Sequence, residues 1–169
     1  ATFGGGMYLT SSNPALTHVT ITDNTADHGG GMYLSSSHPT LTHVIITNNT
    51  ASSGGGMYLS SSHPILTHVT ISNNTADSQG GMSLSYSHPT LTHVTITGNT
   101  AVYHGGGMSL NISNPIVTNS IIWDNIPEAI HVAAFSTPPM FFITYSNIQG
   151  GWYCDGSECE IIDIDPLFT

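Results

Sequence analysis

The sequence contains neither lysine nor arginine, although it carries ten acidic residues, so its formal charge is −10 when histidine is neutral. A chain without these cationic side chains has little with which to neutralise phosphate groups, so nucleic acids and acidic membrane surfaces are not expected partners. Long apolar runs are missing too, and no stretch approaches the ~20 residues that cross a bilayer. We therefore expect no nucleic-acid binding and no membrane insertion.

Cysteine is nearly absent, and the two cysteines present, Cys154 and Cys159, enclose only four residues. A disulfide between them would close a small loop, and such bonds persist in oxidising compartments. A zinc site is the alternative, disfavoured because no second cysteine pair and no suitable nearby histidine completes it. We expect an extracellular or cell-surface protein. Because Ala1 already lies in repeat sequence, we also expect a mature or excised segment.

A methionine that follows two or three glycines recurs every 25 or 26 residues, at Met7, Met32, Met57, Met82 and Met108. Self-similarity with this period is typical of a solenoid. Within each repeat, three short stretches, such as those around Leu9, Leu16 and Ile21, alternate apolar and polar residues as strands do. Glycine, proline, serine and asparagine separate them, so we predict three strands per coil joined by tight turns.

Stacked coils place equivalent residues ~4.8 Å apart, which turns the repeat into columns of like side chains. Leucine and isoleucine columns would fill the interior, and a column of asparagines would form hydrogen bonds from coil to coil. A leucine-rich repeat would need a helix where triple glycine and proline stand, and both residues disfavour helices. We predict an all-β, right-handed parallel β-helix of about six coils, with ~25 residues per coil. Residues 1–127 would form the regular coils, and residues 128–169 an irregular final coil and closing segment of the same domain.

The repeats, with their Gly-Gly-Gly-Met and Asn-Thr-Ala segments, resemble secreted bacterial right-handed β-helix proteins of the pectate-lyase-like fold and the repeats of chlamydial polymorphic membrane proteins. The segment from Asn119 to Phe168 resembles the closing part of such proteins. Enzymes of this fold use an arginine base with calcium-binding acids, or an aspartate cluster with Gly-His-Gly and Arg-Ile-Lys motifs, and this chain has none of these. We interpret the acid pairs Asp163/Asp165 and Asp124/Glu128 as turn and cap residues. We expect no enzymatic activity and no cofactor.

Seven histidines fall into two columns, and neutral imidazole is a ligand for zinc, copper and nickel. Asparagine, a turn former, replaces histidine at Asn13, Asn114 and Asn119, so positive-φ turns are the preferred interpretation and metal binding the alternative. Stacked imidazolium ions would repel, so we expect stability to decrease at low pH. The columns are His18, His43, His68 and His93, and His38, His63 and His88.

The outward face of the third strand is rich in hydroxyl groups and resembles the Thr-x-Thr face of solenoid ice-binding proteins; its candidate residues are Thr20, Thr22, Thr47, Thr70, Ser72, Thr95 and Thr97. Such residues are also ordinary strand formers. No capping helix precedes the first coil, so either a missing segment covers it or subunits associate end to end. The favoured function is therefore a non-catalytic structural or adhesive solenoid, with a filament or surface stalk as possible forms. Ice binding is the second hypothesis and carbohydrate binding the third.

Overall fold

The computed structural model describes residues 1–133, 142–151 and 161–167, and these contain 23 strands and no helix. The first coil consists of β1 (Met7–Thr10), β2 (Ala15–Thr17), β3 (Thr20–Thr22) and β4 (Thr25–His28), and the second of β5 (Met32–Ser35), β6 (Thr40–Thr42), β7 (Ile45–Thr47) and β8 (Thr50–Ser53). The third coil consists of β9 (Met57–Ser60), β10 (Ile65–Thr67), β11 (Thr70–Ser72) and β12 (Thr75–Ser78), and the fourth of β13 (Met82–Ser85), β14 (Thr90–Thr92), β15 (Thr95–Thr97) and β16 (Thr100–Ala101). The remaining strands are β17 (Met108–Asn111), β18 (Ile116–Thr118), β19 (Ile121–Trp123), β20 (Ile130–Val132), β21 (Phe142–Thr144), β22 (Ser146–Ile148) and β23 (Ile161–Ile162).

Strands in equivalent positions of successive coils pair in parallel and form four sheets that run the length of the solenoid. Sheet 1 has the order β1-β5-β9-β13-β17-β20, and sheet 2 the order β2-β6-β10-β14-β18-β21. Sheet 3 has the order β3-β7-β11-β15-β19-β22-β23, and sheet 4 the order β4-β8-β12-β16. The predicted parallel β-solenoid with coils of about 25 residues is confirmed. The described residues form about five regular coils, and β20, β21 and β22 extend three sheets into a sixth.

Each of the first four coils has four strands, so the prediction of three strands per coil is wrong for them. The additional strand follows the asparagine that was assigned to a turn; in the first coil it is β4. The chain bends there within one residue, because Asp23 adopts a left-handed conformation (φ 58°), and Thr25 already belongs to the next strand. The small side chain of Ala26, only 5% exposed, points inward from this strand.

Left-handed residues occupy the corners of the solenoid. In the second coil they are Ser36, His43, Asn48 and Gly54, with φ values of 49°, 54°, 56° and 67°. A single left-handed residue turns the chain without interrupting the stacking of neighbouring coils, and glycine, asparagine and histidine tolerate this conformation better than most residues. The glycine segments therefore form corners, and their amides donate to the next coil, as Gly30 N does to Gly54 O at 3.1 Å.

The interior consists of the predicted apolar columns. In the third coil Met57, Leu59, Leu66 and Ile71 are 0% exposed and Val69 is 1% exposed. Register places Leu59 between Leu34 and Leu84, and Ile71 between Ile46 and Ile96, as the spacing predicted. Burial of each such side chain contributes about 1.5–3 kcal/mol. The columns therefore stabilise the solenoid along its whole length.

Candidate ligand-binding pocket

Three tyrosines form a ladder on the outer face of sheet 1, where Tyr8 is exposed and Tyr33 and Tyr58 are partly buried. Tyr8, Tyr33 and Tyr58 pair in register, and their ring centroids lie 5.5 Å and 5.2 Å apart. The rings of Tyr33 and Tyr58 are nearly parallel, with an interplanar angle of 9°. Burial, followed by the nearby Tyr58 and Tyr8 phenols, raises the pKa of Tyr33 above its ordinary value. The ladder occupies the surface of the first three coils.

The ladder stops at the fourth coil, where serine replaces tyrosine. Ser83 pairs with Tyr58, Ser109 pairs with Ser83, and His131 pairs with Ser109. Two consecutive coils thus lack a ring between Tyr58 and His131, which are three strand spacings or ~14 Å apart. A pocket of ≈380 Å³ opens in this gap; its lining includes Tyr58, Ser83, Ser85, Ser109, Asn111 and His104.

Gln79 forms part of the pocket wall and has an unusual backbone conformation. It occupies the position of Gly54 and Gly105 in the neighbouring coils, and its φ of 58° lies in the left-handed region. At Gly54 an added Cβ would lie 2.6 Å from the carbonyl oxygen of Met57, so this position is crowded. The Gln79 amide oxygen accepts a hydrogen bond from Ser53 Oγ at 2.6 Å, which leaves its amide nitrogen as a further donor at the pocket.

A one-residue insertion precedes His104, which lines the pocket. The methionine spacing increases from 25 to 26 residues in this coil, and the amides of Val102 and Tyr103 both donate to Asp77 O, as in a β-bulge. Bulges redirect side chains next to them. The His104 ring meets the His131 ring edge-on, with centroids 4.4 Å apart, and within the described structure His104 Nδ1 is buried without a hydrogen-bond partner.

Glu128 orients His131 beside the pocket. One carboxylate oxygen, Oε1, accepts a hydrogen bond from Gly105 N at 2.7 Å and lies 3.3 Å from His131 Nδ1. Among the residues that line the pocket there is no carboxylate and no permanently charged side chain. Hydroxyl groups, two side-chain amides, one imidazole and the tyrosine ring therefore define its chemistry.

The two histidine columns are present, but their rings are stacked in a way that disfavours a shared metal ion. Neighbouring ring centroids are 4.9–5.0 Å apart and interplanar angles are 2–12°. Two zinc–nitrogen bonds of ~2.1 Å span at most ~4.2 Å, and parallel rings direct their lone pairs along parallel lines. No group of three or more His, Cys, Asp or Glu side chains within the described ranges is placed to hold a metal ion.

The positive-φ interpretation is correct for one histidine column and wrong for the other. His18, His43, His68 and His93 have φ values of 54–55°. In the second column the left-handed residue is two positions earlier, at Ser36, Ser61 and Tyr86. The rings of His38, His63 and His88 instead accept hydrogen bonds from backbone amides of the next coil. Asparagine is therefore interchangeable with histidine there as a hydrogen-bond acceptor.

The predicted hydroxyl face lies on the outside of sheet 3, where Thr20, Ile45, Thr70 and Thr95 stack in one column. Its second column contains Thr22, Thr47, Ser72 and Thr97, and Trp123 ends it. A longer column, which was not predicted, lies on sheet 2 and has threonine in every described coil: Thr17, Thr42, Thr67, Thr92, Thr118 and Thr144.

The remaining predicted residues fall into two groups. Cys154 and Cys159 lie outside the described residues. Two acids of the closing segment accept backbone hydrogen bonds: Asp163 from Gly150 N at 3.0 Å, and Asp165 from Leu167 N at 2.8 Å. The Asp165 bond, to a residue two positions along the chain, agrees with its interpretation as a turn residue, whereas the Asp163 bond joins residues that are 13 positions apart.

Comparison with known families identifies the class of protein. A family model described as "Right handed beta helix region" matches residues 2–138, and the chain belongs to this family. Searches of curated proteins and of solved structures found no match. In the described part of the chain there is no helix with the length and hydropathy required to cross a membrane.

Proposed function

We propose that this right-handed β-helix is a non-catalytic, extracellular adhesive element that binds a neutral carbohydrate in the pocket below Tyr58. The observation that carries the proposal is the interruption of the tyrosine ladder, because two missing rings expose the face of Tyr58 to a cavity of ≈380 Å³. Ligand sites of this size typically combine an apolar surface with a few polar groups that orient the ligand.

The chemistry of the lining favours a sugar ring. A pyranose has an apolar face of C–H groups that packs on an aromatic ring, and hydroxyl groups at its edge that need hydrogen-bond partners. Tyr58 supplies the ring, and the amides of Gln79 and Asn111 supply donors and acceptors. A neutral sugar fits better than an acidic one, because the chain has no lysine or arginine and a formal charge of −10.

A binding role is favoured over glycoside hydrolysis by the composition of the pocket. Hydrolysis typically requires two carboxyl groups ~5–9.5 Å apart on either side of the scissile bond. The residues that line the pocket include none. Neutral glycans occur in extracellular matrices and cell walls, where a rigid solenoid would act as an adhesive or structural module. End-to-end self-association stays a prediction, which sedimentation over a concentration series would check.

The proposal is tested by calorimetric titration with neutral gluco-, xylo- and manno-oligosaccharides. We expect binding of at least one series, and Ser83→Tyr should abolish it by filling the pocket with the ring that the preceding coils carry. Tyr58→Ala should weaken binding about tenfold, since an aromatic contact is worth ~0.5–1.5 kcal/mol beyond its buried area. Tyr8→Ala is the matched control, because Tyr8 belongs to the same ladder but does not line the pocket. Equal binding by wild type and Ser83→Tyr would contradict the proposal.

Ice binding is a second candidate, which the uninterrupted threonine column of sheet 2 favours. The column presents one hydroxyl and one methyl group at each coil, at the regular spacing of parallel strands. Thr92 and Thr118 lie close enough for their hydroxyl oxygens to form a hydrogen bond of 3.3 Å. Thermal hysteresis of the purified protein tests the idea. Loss of hysteresis in Thr67→Asn would assign it to sheet 2, loss in Thr70→Asn to sheet 3, and no hysteresis in the wild type would exclude it.

A further inference from the structure

The histidine column His38, His63 and His88 holds successive coils together through its imidazole nitrogens. His63 N donates to His38 Nδ1 at 2.9 Å, and His88 N donates to His63 Nδ1 at 3.0 Å. The third bond runs from Asn114 N to His88 Nδ1 at 2.9 Å. A ring nitrogen can accept a hydrogen bond only when it carries no proton, so all three imidazoles must be neutral with the proton on Nε2.

The other column, His18, His43, His68 and His93, makes no such bonds. Its rings stack at the same 4.9–5.0 Å spacing. The described structure contains no hydrogen bond to a ring nitrogen of these four residues. The chain thus carries two histidine columns with equal stacking, of which only one links coils through its side chains.

We propose that the column of His38, His63 and His88 is an acid-labile clasp, in which protonation of the imidazoles breaks three hydrogen bonds between coils at one corner of the solenoid. An imidazolium is a donor at both nitrogens. Its Nδ1–H would therefore face the same backbone N–H from which the neutral Nδ1 accepted a hydrogen bond. These histidines are exposed, and water replaces the lost acceptor. The corner therefore opens locally while the buried columns keep the solenoid folded.

The neighbours of the central histidine of the clasp, His63, disfavour its protonation. His63 lies between His38 and His88, with ring centroids at 4.9 Å and 5.0 Å. The turn segments stacked at this corner, residues 10–15, 35–40, 60–65, 85–90 and 111–116, contain one other titratable side chain, Tyr86, and no carboxylate. Burial, followed by His88 and His38, lowers the pKa of His63 below its ordinary value of 6.5. Opening at His63 should therefore require a pH below the ordinary imidazole value of 6.5.

The chain itself provides the control substitution. Asn13 stands at the first position of the column, and its Oδ1 accepts from His38 N at 2.6 Å, which is the bond that the histidine rings make in later coils. An asparagine acceptor does not titrate in this range. Replacing His38, His63 and His88 by asparagine should therefore preserve the three bonds and remove their dependence on pH.

Hydrogen exchange resolved by residue tests the proposal at pH 7.5 and pH 5, after correction for the intrinsic pH dependence of exchange. In the wild type, the protection factors of the His63, His88 and Asn114 amides should be about tenfold lower at pH 5 than at pH 7.5. A tenfold change corresponds to the loss of one ordinary hydrogen bond. The triple asparagine variant should keep its protection at both pH values. If that variant does not fold, His63→Asn alone should rescue only the His88 amide.

Repulsion between stacked imidazolium ions of the second column, His18, His43, His68 and His93, is a competing cause, and removing that column tests it. Replacing His18, His43, His68 and His93 by asparagine, which the chain already uses at Asn119, removes one set of stacked rings and leaves the clasp intact. The acid-induced loss at His63, His88 and Asn114 should persist in this variant. The proposal is overturned if the wild-type amides keep their protection at pH 5, or if the triple asparagine variant loses protection as the wild type does.

Discussion

The side chain of Asn74 accepts two hydrogen bonds from Asn49, because Asn74 Oδ1 lies 2.9 Å from Asn49 N and 3.0 Å from Asn49 Nδ2. Asn74 Nδ2 in turn donates to Asn99 Oδ1 at 2.9 Å and to Ile46 O at 3.0 Å. Both asparagines are fully buried. This ladder, which the repeat spacing predicted, satisfies polar groups at a corner that water does not reach.

Asn74→Ala should destabilise the protein by about 4 kcal/mol, because it leaves several buried donors and acceptors unpaired at ~1–3 kcal/mol each. Urea denaturation would measure the change. The matched control is Asn73→Gly, at an exposed left-handed corner (φ 55°) where a later coil already has Gly98. The control should differ from the wild type by less than ~1 kcal/mol. Equal effects of the two substitutions would show that the ladder contributes little.

Gln79→Gly should increase the stability of the protein but weaken ligand binding. A left-handed conformation costs a residue with a side chain ~1–2 kcal/mol, whereas glycine adopts it freely but raises the entropy of the unfolded chain. We expect a net stabilisation of about 0.5 kcal/mol. Oligosaccharide affinity should decrease, because the amide leaves the pocket wall. Denaturant midpoints and calorimetric titration measure the two effects, and a destabilised variant that binds normally would contradict both expectations.

The lowered pKa of His63 makes stability depend on pH in a defined direction. Between the ordinary value of 6.5 and the lower folded value, the unfolded chain binds more protons than the folded one. The free energy of unfolding should therefore decrease as the pH falls through about 6.5, and level off below the folded pKa of His63. Urea midpoints at pH 8, 7, 6 and 5 measure this slope, which His63→Asn should reduce. A midpoint that rises on acidification would refute it.

The contribution of a core leucine to the stability of the protein should depend on its position along the solenoid. Leu59 in the third coil is 0% exposed, and Leu59→Ala should cost about 2–5 kcal/mol through lost burial and the cavity left behind. Leu9, in the same column of the first coil, is only partly buried. Leu9→Ala should cost about half as much. Thermal denaturation of both variants compares them, and equal losses would indicate that burial of the first coil in solution exceeds that in the structure.

The fold could be predicted from the sequence because every repeat has the same pattern of strand and turn residues. The columns of leucine, isoleucine and asparagine follow from the 25-residue spacing once coils are assumed to stack, and the paired registers of Leu59 and Asn74 agree with it. The fourth strand was missed because a single left-handed residue, such as Asp23, makes the corner that appeared to need a longer turn.

The candidate pocket was not predicted because it arises from departures from the repeat, whereas the predictions rest on the residues that the repeats share. Its signals were present: Gln79 at a glycine position, Ser83 and Ser109 at a tyrosine position, and one additional residue before His104. Considered one at a time, each departure is an ordinary substitution or insertion. Only the stacking of coils in register brings all of them to one pocket.

Because the pocket extends over whole coils, its length is a multiple of the distance between neighbouring strands. It begins at the last tyrosine and continues for as many coils as carry serine in that position, which are two in this chain. Duplicating the coil of residues 79–104 would therefore lengthen the cavity by ~4.8 Å without altering the side chains at either end. Proteins built on the same repeat could thus accommodate longer or shorter oligomers of one ligand by gaining or losing coils.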